Sequence, residues 1–112
     1  MEKENYILLA KKYFELFSNK DIERLKEMFD LNCSLQDWEI NVNGKEEVLK
    51  ANKKIFDSVE TIEVQAQNIY CDGNVIIADL LITINNADKL FVVDIIQFNE
   101  EGKIQSILAY KR

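Results

Sequence analysis

Histidine is absent from this 112-residue chain. That removes at once the triads built on an imidazole base and the imidazole-ligated zinc sites. Any catalysis must come from carboxylates, tyrosines, lysines or cysteines. Proline is also absent, glycine occurs only three times, and no low-complexity stretch interrupts the chain. Nothing therefore reads as a linker, and we expect one domain over residues 1–112. Cysteine is scarce: Cys33 and Cys71 could form one bridge at most, and their spacing matches no zinc or redox motif. We read them as small, reduced core residues of a cytoplasmic protein. No apolar run approaches the ~18–20 residues of a membrane span. The opening MEKENYILLAKKYF mixes lysines among its apolar residues without a small-residue cleavage site, so no secretory leader is expected. Positive charge is in the minority, fourteen Lys plus Arg against twenty Asp plus Glu, and the net −6 repels phosphate backbones and anionic lipid. Neither nucleic acid nor a membrane is an expected partner.

What is present is core material: 47% of residues are hydrophobic, enough for one core without metal or disulfide staples. Tyr6, Leu9, Ala10, Tyr13, Leu16 and Phe17 recur at helical spacing, which predicts a helix from about Lys3 to Ser18. Asp21 is the expected N-cap of a short second helix that turns Ile22, Leu25, Met28 and Phe29 inward. A strand-like pattern follows over Cys33–Glu39. Asn43-Gly44-Lys45-Glu46 then reads as an N-cap with a carboxylate at N3, opening a third helix through about Asp57 with Val48, Asn52, Ile55 and Phe56 on its inner face. After Asp57 the period changes to two, with Ile62, Val64, Ala66, Asn68 and Tyr70 on one face. A hairpin turn at Cys71–Asn74 leads to long strands at Val75–Asn85 and Leu90–Asn99, joined through Asn86–Asp88, and Glu100–Gly102 turns into a last strand, Lys103–Lys111. The order is α-α-β-α-β-β-β-β, an α+β fold with helices packed on one face of a curved antiparallel sheet. The two long strands are apolar on both faces, so their outer face, including Phe91, Val93 and Ile95, is expected to be covered by a second subunit in a homodimer.

Polar residues stand where the pattern asks for apolar ones. Asp94 shares its face with Leu90, Val92, Ile96 and Phe98. Desolvation there disfavours the charged form, so its carboxyl is expected to titrate high and to serve as a hydrogen-bond donor. Asp37, at the end of the first strand before Trp38, reads either as an ordinary exposed loop aspartate or as a carboxylate that stays ionised while facing an apolar cavity, as a general base for a C–H proton requires. Tyr13 lies on the inner face of the first helix, where its hydroxyl needs a partner if buried; taken alone it reads as a core tyrosine before a catalyst. Asp79, inside Val75–Ile84, is a weaker fourth candidate, equally suited to bonding across a dimer.

The stretch KYFELFSNKDIERLKEMFDLNCSLQDW, Lys12 to Trp38, resembles the N-terminal part of bacterial Δ5-3-ketosteroid isomerase, and VVDIIQFNEEGKI, Val92 to Ile104, resembles its penultimate strand and turn. The second pattern is also found across the wider nuclear transport factor two-like superfamily, including SnoaL-like polyketide cyclases. The isomerases' catalytic tyrosine, strand-ending aspartate and Asp-x-φ-x-Phe-Asn aspartate (φ apolar) fall on Tyr13, Asp37 and Asp94. The resemblance implies a cone-shaped sheet wrapped around the long N-terminal helix, with a cavity opening toward Asp37. It also implies that Asp37 moves a proton α to a carbonyl of a small apolar ligand, that Tyr13 and neutral Asp94 donate to the dienolate oxygen, and that no cofactor or metal is needed. Phe29 and Phe56 stand where the isomerases carry supporting tyrosines, and Trp38 where relatives usually have proline. The Asp-Arg-Asp set of limonene epoxide hydrolases and the histidines of scytalone dehydratase have no counterpart. The other function class left open is a non-catalytic binding or dimerisation module on the same cone.

Overall fold

The computed structural model describes residues 1–112. Helix α1 spans Lys3–Ser18, α2 spans Ile22–Met28 and α3 spans Lys45–Ser58. The strands are β1 Phe29–Gln36, β2 Asn41–Asn43, β3 Ile62–Asp72, β4 Val75–Ile84, β5 Asp88–Phe98 and β6 Ile104–Lys111, in one sheet of order β2-β1-β6-β5-β4-β3. The 3.6-residue period of α1 is realised in the burial of Tyr6, Ala10, Tyr13, Phe14 and Leu16. Ala10 is fully buried, which lets the helix approach the sheet closely. Asp21 caps α2 as expected, its carboxylate accepting from the Arg24 backbone N–H at 3.2 Å.

Several expectations need correction. The sheet is mixed: β1 runs parallel to β6, with Leu35 beside Ile107 and Gln36 beside Leu108. That pairing joins the first strand to the last, and no local pattern encodes it. Phe29 opens β1 instead of closing α2, so the first strand begins four residues earlier than expected and ends at Gln36. A short strand, β2, was not foreseen, and the observed order is α-α-β-β-α-β-β-β-β. Asn43 belongs to β2, and the N-cap of α3 is Gly44 at φ +91°, a conformation that L side chains rarely adopt. The loop between β4 and β5 is Asn85-Asn86-Ala87, with both asparagines at positive φ.

In β3 the two-residue alternation does not persist. A bulge between Ala66 and Asn68 inserts one unpaired residue and inverts the phase. Ile62 and Val64 point inward before it and Ile69 and Cys71 after it, while Tyr70 is 60% exposed. The bulge bends the strand along which α1 lies, and the end of α1 is stapled to it. The Ser18 hydroxyl donates to the Phe14 carbonyl at 2.9 Å and accepts from the Val64 N–H at 2.8 Å. Lys20, in the turn after α1, ties that turn to the end of α3, its Nζ donating to the carbonyl of the C-cap residue Val59 at 2.6 Å. With α1 held against β3 and α3 against β1 and β2, a wedge stays open between the helices and the concave face of the sheet.

Candidate functional site

That wedge is a cavity of about 290 Å³, and Tyr13, Asp37 and Asp94 all line it. Its walls are otherwise largely apolar, with Phe14, Leu35, Leu80, Val92 and Ile107 among them. Asp94 arrives there because β5 alternates strictly, burying Val92, Asp94, Ile96 and Phe98 and turning Phe91 outward at 40% exposure. Its neighbours across the sheet are Ala78 on β4 and Ala109 on β6. Two small side chains on this rung leave space beside the carboxyl. Burial pushes that carboxyl up to about 7, and the negative charge of Asp37 adds to the rise. Near neutral pH it is thus protonated in a large share of molecules and able to donate.

Tyr13 is buried among Phe14, Phe17 and Phe29, with ring centroids 5.6, 5.8 and 6.1 Å away. Burial first, then the charges of Asp94 and Cys33, raise its phenol well above the ordinary tyrosine value. It therefore remains a neutral O–H donor throughout the working pH range. Phe29 approaches edge-on, and Phe56 packs edge-on against Phe17 at 4.7 Å. Both are hydrocarbon surfaces, so neither supplies the Tyr13 hydroxyl with a hydrogen bond.

Asp37 lies one residue past β1, in the tight loop to β2. Its N–H donates to the Ile40 carbonyl at 2.8 Å, and its Oδ1 accepts from the N–H groups of Glu39 and Ile40 at 2.7 and 2.6 Å. One oxygen thus folds the loop, a common use of aspartate in turns. Oδ2 takes no part in those bonds. Trp38, 41% exposed, also lines the cavity, and Lys111 Nζ stands 5.3 Å from its ring centroid.

Asp79 does not join the group. It lies on the outer face of β4, where its Oδ2 accepts from Asn68 Nδ2 at 3.3 Å. Cys33 and Cys71 are both free thiols, and burial, reinforced by Asp30, raises the Cys33 thiol to about 11. That is far from the thiolate a nucleophile needs. No arginine lines the cavity, and no group of three or more Cys, Asp or Glu is placed to hold a metal ion. A larger hollow of about 620 Å³ between α1, α2 and the β5–β6 turn is wide open and gathers surface groups such as Lys12, Arg24 and Glu27.

One cavity residue carried no functional expectation. Asn52 is 1% exposed on the inner face of α3, and its Nδ2 has no hydrogen-bond partner. The signal available was the one that singled out Asp94, a polar side chain on an apolar face. In a helix it reads as packing.

The SnoaL-like domain family matches residues 10–107. The chain belongs to that family, within the nuclear transport factor two-like superfamily. No curated protein matches the sequence. Among solved structures, a provisionally named isomerase of the SnoaL-like family from Agrobacterium tumefaciens superposes with a TM-score of 0.84 at 15% identity, covering 97% of this chain and 98% of that one. A provisionally named ketosteroid isomerase from Kribbella flavida gives 0.82 at 15%, covering 98% and 79%. An LEH-like epoxide hydrolase from M. tuberculosis gives 0.85 at 14%, covering 100% and 86%. At such identities the likeness extends to the fold alone. Two different chemistries share it, so any activity has to be argued from the residues that line this chain's own cavity.

Proposed function

We propose that the protein catalyses cofactor-independent proton transfer α to the carbonyl of a small, largely apolar molecule. The observation that carries this reading is the convergence of Tyr13, Asp37 and Asp94 on one apolar cavity. In the proposed reaction Asp37 takes the α-proton. The C–H electron pair becomes the enolate double bond, and the carbonyl oxygen takes the negative charge. Tyr13 and protonated Asp94 donate to that oxygen, and the apolar walls keep out the water that would weaken those bonds. Asp37 then returns the proton to the γ-carbon, so a β,γ-unsaturated ketone becomes its conjugated isomer. Hydrogen-bond donation to an enolate is stronger than to the parent ketone, so the site favours the charged intermediate over the substrate. A cavity of about 290 Å³ lies at the low end of the ~300–1,000 Å³ typical of ligand sites, which suits a one- or two-ring substrate.

A specific observation favours a second reading, that of a binding module without catalysis. The aromatic rings packed against Tyr13 are those of Phe14, Phe17 and Phe29, none of which offers its O–H the hydroxyl support that the isomerases' tyrosines give. One experiment separates the two. A panel of one- and two-ring β,γ-unsaturated ketones is followed at the absorbance of the conjugated product. The catalytic reading expects turnover that falls about 10²–10⁴-fold in Asp37→Asn, the usual worth of a positioned general base. Binding of planar phenols, which mimic the enolate, with no turnover on any ketone supports the binding reading.

We propose further that the protein acts in the cytoplasm as a homodimer. Two free cysteines suit a reducing compartment, and no helix is long and apolar enough to cross a membrane. Ile77 and Phe91, 37% and 40% exposed on the outer face of the sheet beside half-buried Leu81, Val93 and Ile95, offer an apolar surface for a second copy.

A further inference from the structure

Trp38 is the chain's one tryptophan, and the fold leaves it 41% exposed at the cavity it lines. A side chain in both positions stands where the cavity meets solvent. It is held there from two sides. Its backbone belongs to the turn between β1 and β2 that the Asp37 carboxylate closes through the Glu39 and Ile40 N–H groups, so the indole and the proposed base are neighbours on one fixed loop. The second hold comes from β6. Ile107 and Ala109 line the cavity, and Lys111 continues their row, paired across the sheet with cavity-lining Val92. Its ammonium lies 5.3 Å from the centre of the indole ring. With a cation over one face, the ring keeps its other face and its edge for a molecule in the cavity. The other aromatic side chains of the cavity, Tyr13, Phe14 and Phe17, all come from α1. Because Tyr13 and Asp94 are buried, a ligand whose oxygen they hold lies with its remote end toward Trp38.

We propose that Trp38 is a specificity residue, its indole stacking on the end of the ligand remote from the carbonyl and selecting a flat, unsaturated second ring over a saturated one. Aliphatic walls such as Ile55 and Leu90 accept any apolar group that fits, whereas an indole gains an offset-stacked or edge-on contact only with another π-system. A cavity of about 290 Å³ suits one or two rings, so the second ring is the part that reaches the mouth. The substrate class narrows accordingly, to two-ring ketones whose second ring is planar. The inference rests on the reading of the cavity as the ligand site given above, and it holds whether or not the bound molecule is turned over.

The test compares 2-naphthol with 5,6,7,8-tetrahydro-2-naphthol, titrated calorimetrically into the full chain. Both are phenols on the same carbon skeleton, and the ring remote from the hydroxyl is flat in the first and puckered in the second. 2-Naphthol is expected to bind about two- to tenfold tighter, the worth of one aromatic contact. Trp38→Leu should erase most of that preference and Trp38→Phe should keep part of it, whereas a purely structural role would weaken both phenols alike. Should Trp38→Leu not fold, NMR of the wild type decides the matter. The chain's single indole N–H resonance should move further with 2-naphthol than with the tetrahydro compound. The inference is overturned if the wild type does not prefer 2-naphthol, if the preference survives Trp38→Leu undiminished, or if 2-naphthol leaves the indole resonance in place. Failure of both phenols to bind the wild type overturns the cavity reading as well, a result distinct from binding without discrimination.

Discussion

At Asp94 one proton serves both the stability of the fold and the donor role proposed above. Its carboxyl titrates near 3.8 when free and at about 7 in the fold. Between those values the folded protein holds a proton that the unfolded chain has released, so stability falls as pH rises from about 4 to about 7 and levels off above. Asp94→Asn should abolish that slope and raise the unfolding free energy above pH 7 by up to about 4 kcal/mol, a gain that urea titrations at pH 5 and pH 8 would read. An unchanged pH dependence would mean that Asp94 is not the buried acid described. Asp37→Asn makes a companion case. Its amide oxygen can still accept from Glu39 and Ile40, so the loop should survive. Its lost charge should move the Asp94 titration down from about 7, visible by carboxyl-resolved NMR. Tyr13→Phe should cost less in turnover than Asp37→Asn, about tenfold against the ~10²–10³ of a fully supported oxyanion donor, because the rings packed against Tyr13, Phe29 among them, offer its hydroxyl no hydrogen bond.

Among the elements, the staple between α1 and β3 fixes one wall of the cavity. Ser18→Ala would strand the Val64 N–H and should cost about 1–3 kcal/mol in chemical denaturation, with a looser cavity and weaker phenol binding. The helices and the β4–β5 hairpin were legible in the sequence because their apolar periods run long enough to stand out, as Tyr6–Ala10–Tyr13 and Val92–Asp94–Ile96 show. Asp94 was legible for the same reason, as a charge breaking a strict alternation. The phase change in β3 was not, since the bulge is one inserted residue, Gln67, in the polar run between Gln65 and Asn68. Nor was β2, whose Asn-Val-Asn is too short and too exposed to carry a pattern. The parallel pairing of β1 with β6 joins residues some seventy positions apart and leaves no local trace. Asn52 reads in the sequence as ordinary helix packing, because a helix interior tolerates an occasional amide, and the missing partner of its Nδ2 depends on residues distant in the chain.

The whole molecule is one curved sheet with two faces, a concave one that holds the cavity and a convex one that carries Ile77, Leu81, Phe91, Val93 and Ile95. A dimer through the convex face predicts two-chain mass by sedimentation at micromolar concentration, and Phe91→Asp should shift it to monomer by placing an unpaired charge in the contact. A wild-type monomer under those conditions would leave that face without the proposed partner. The central claim, that the concave face abstracts a proton next to a carbonyl, is tested most directly by hydrogen–deuterium exchange. A one- or two-ring ketone is incubated with the protein in D₂O, and its α-protons are followed by NMR, with no need to know the natural substrate or product. The account predicts deuterium entering the α-position well above the uncatalysed rate with wild type, and about 10²–10⁴-fold more slowly with Asp37→Asn. Exchange no faster than in buffer, while planar phenols still bind the cavity, would contradict it.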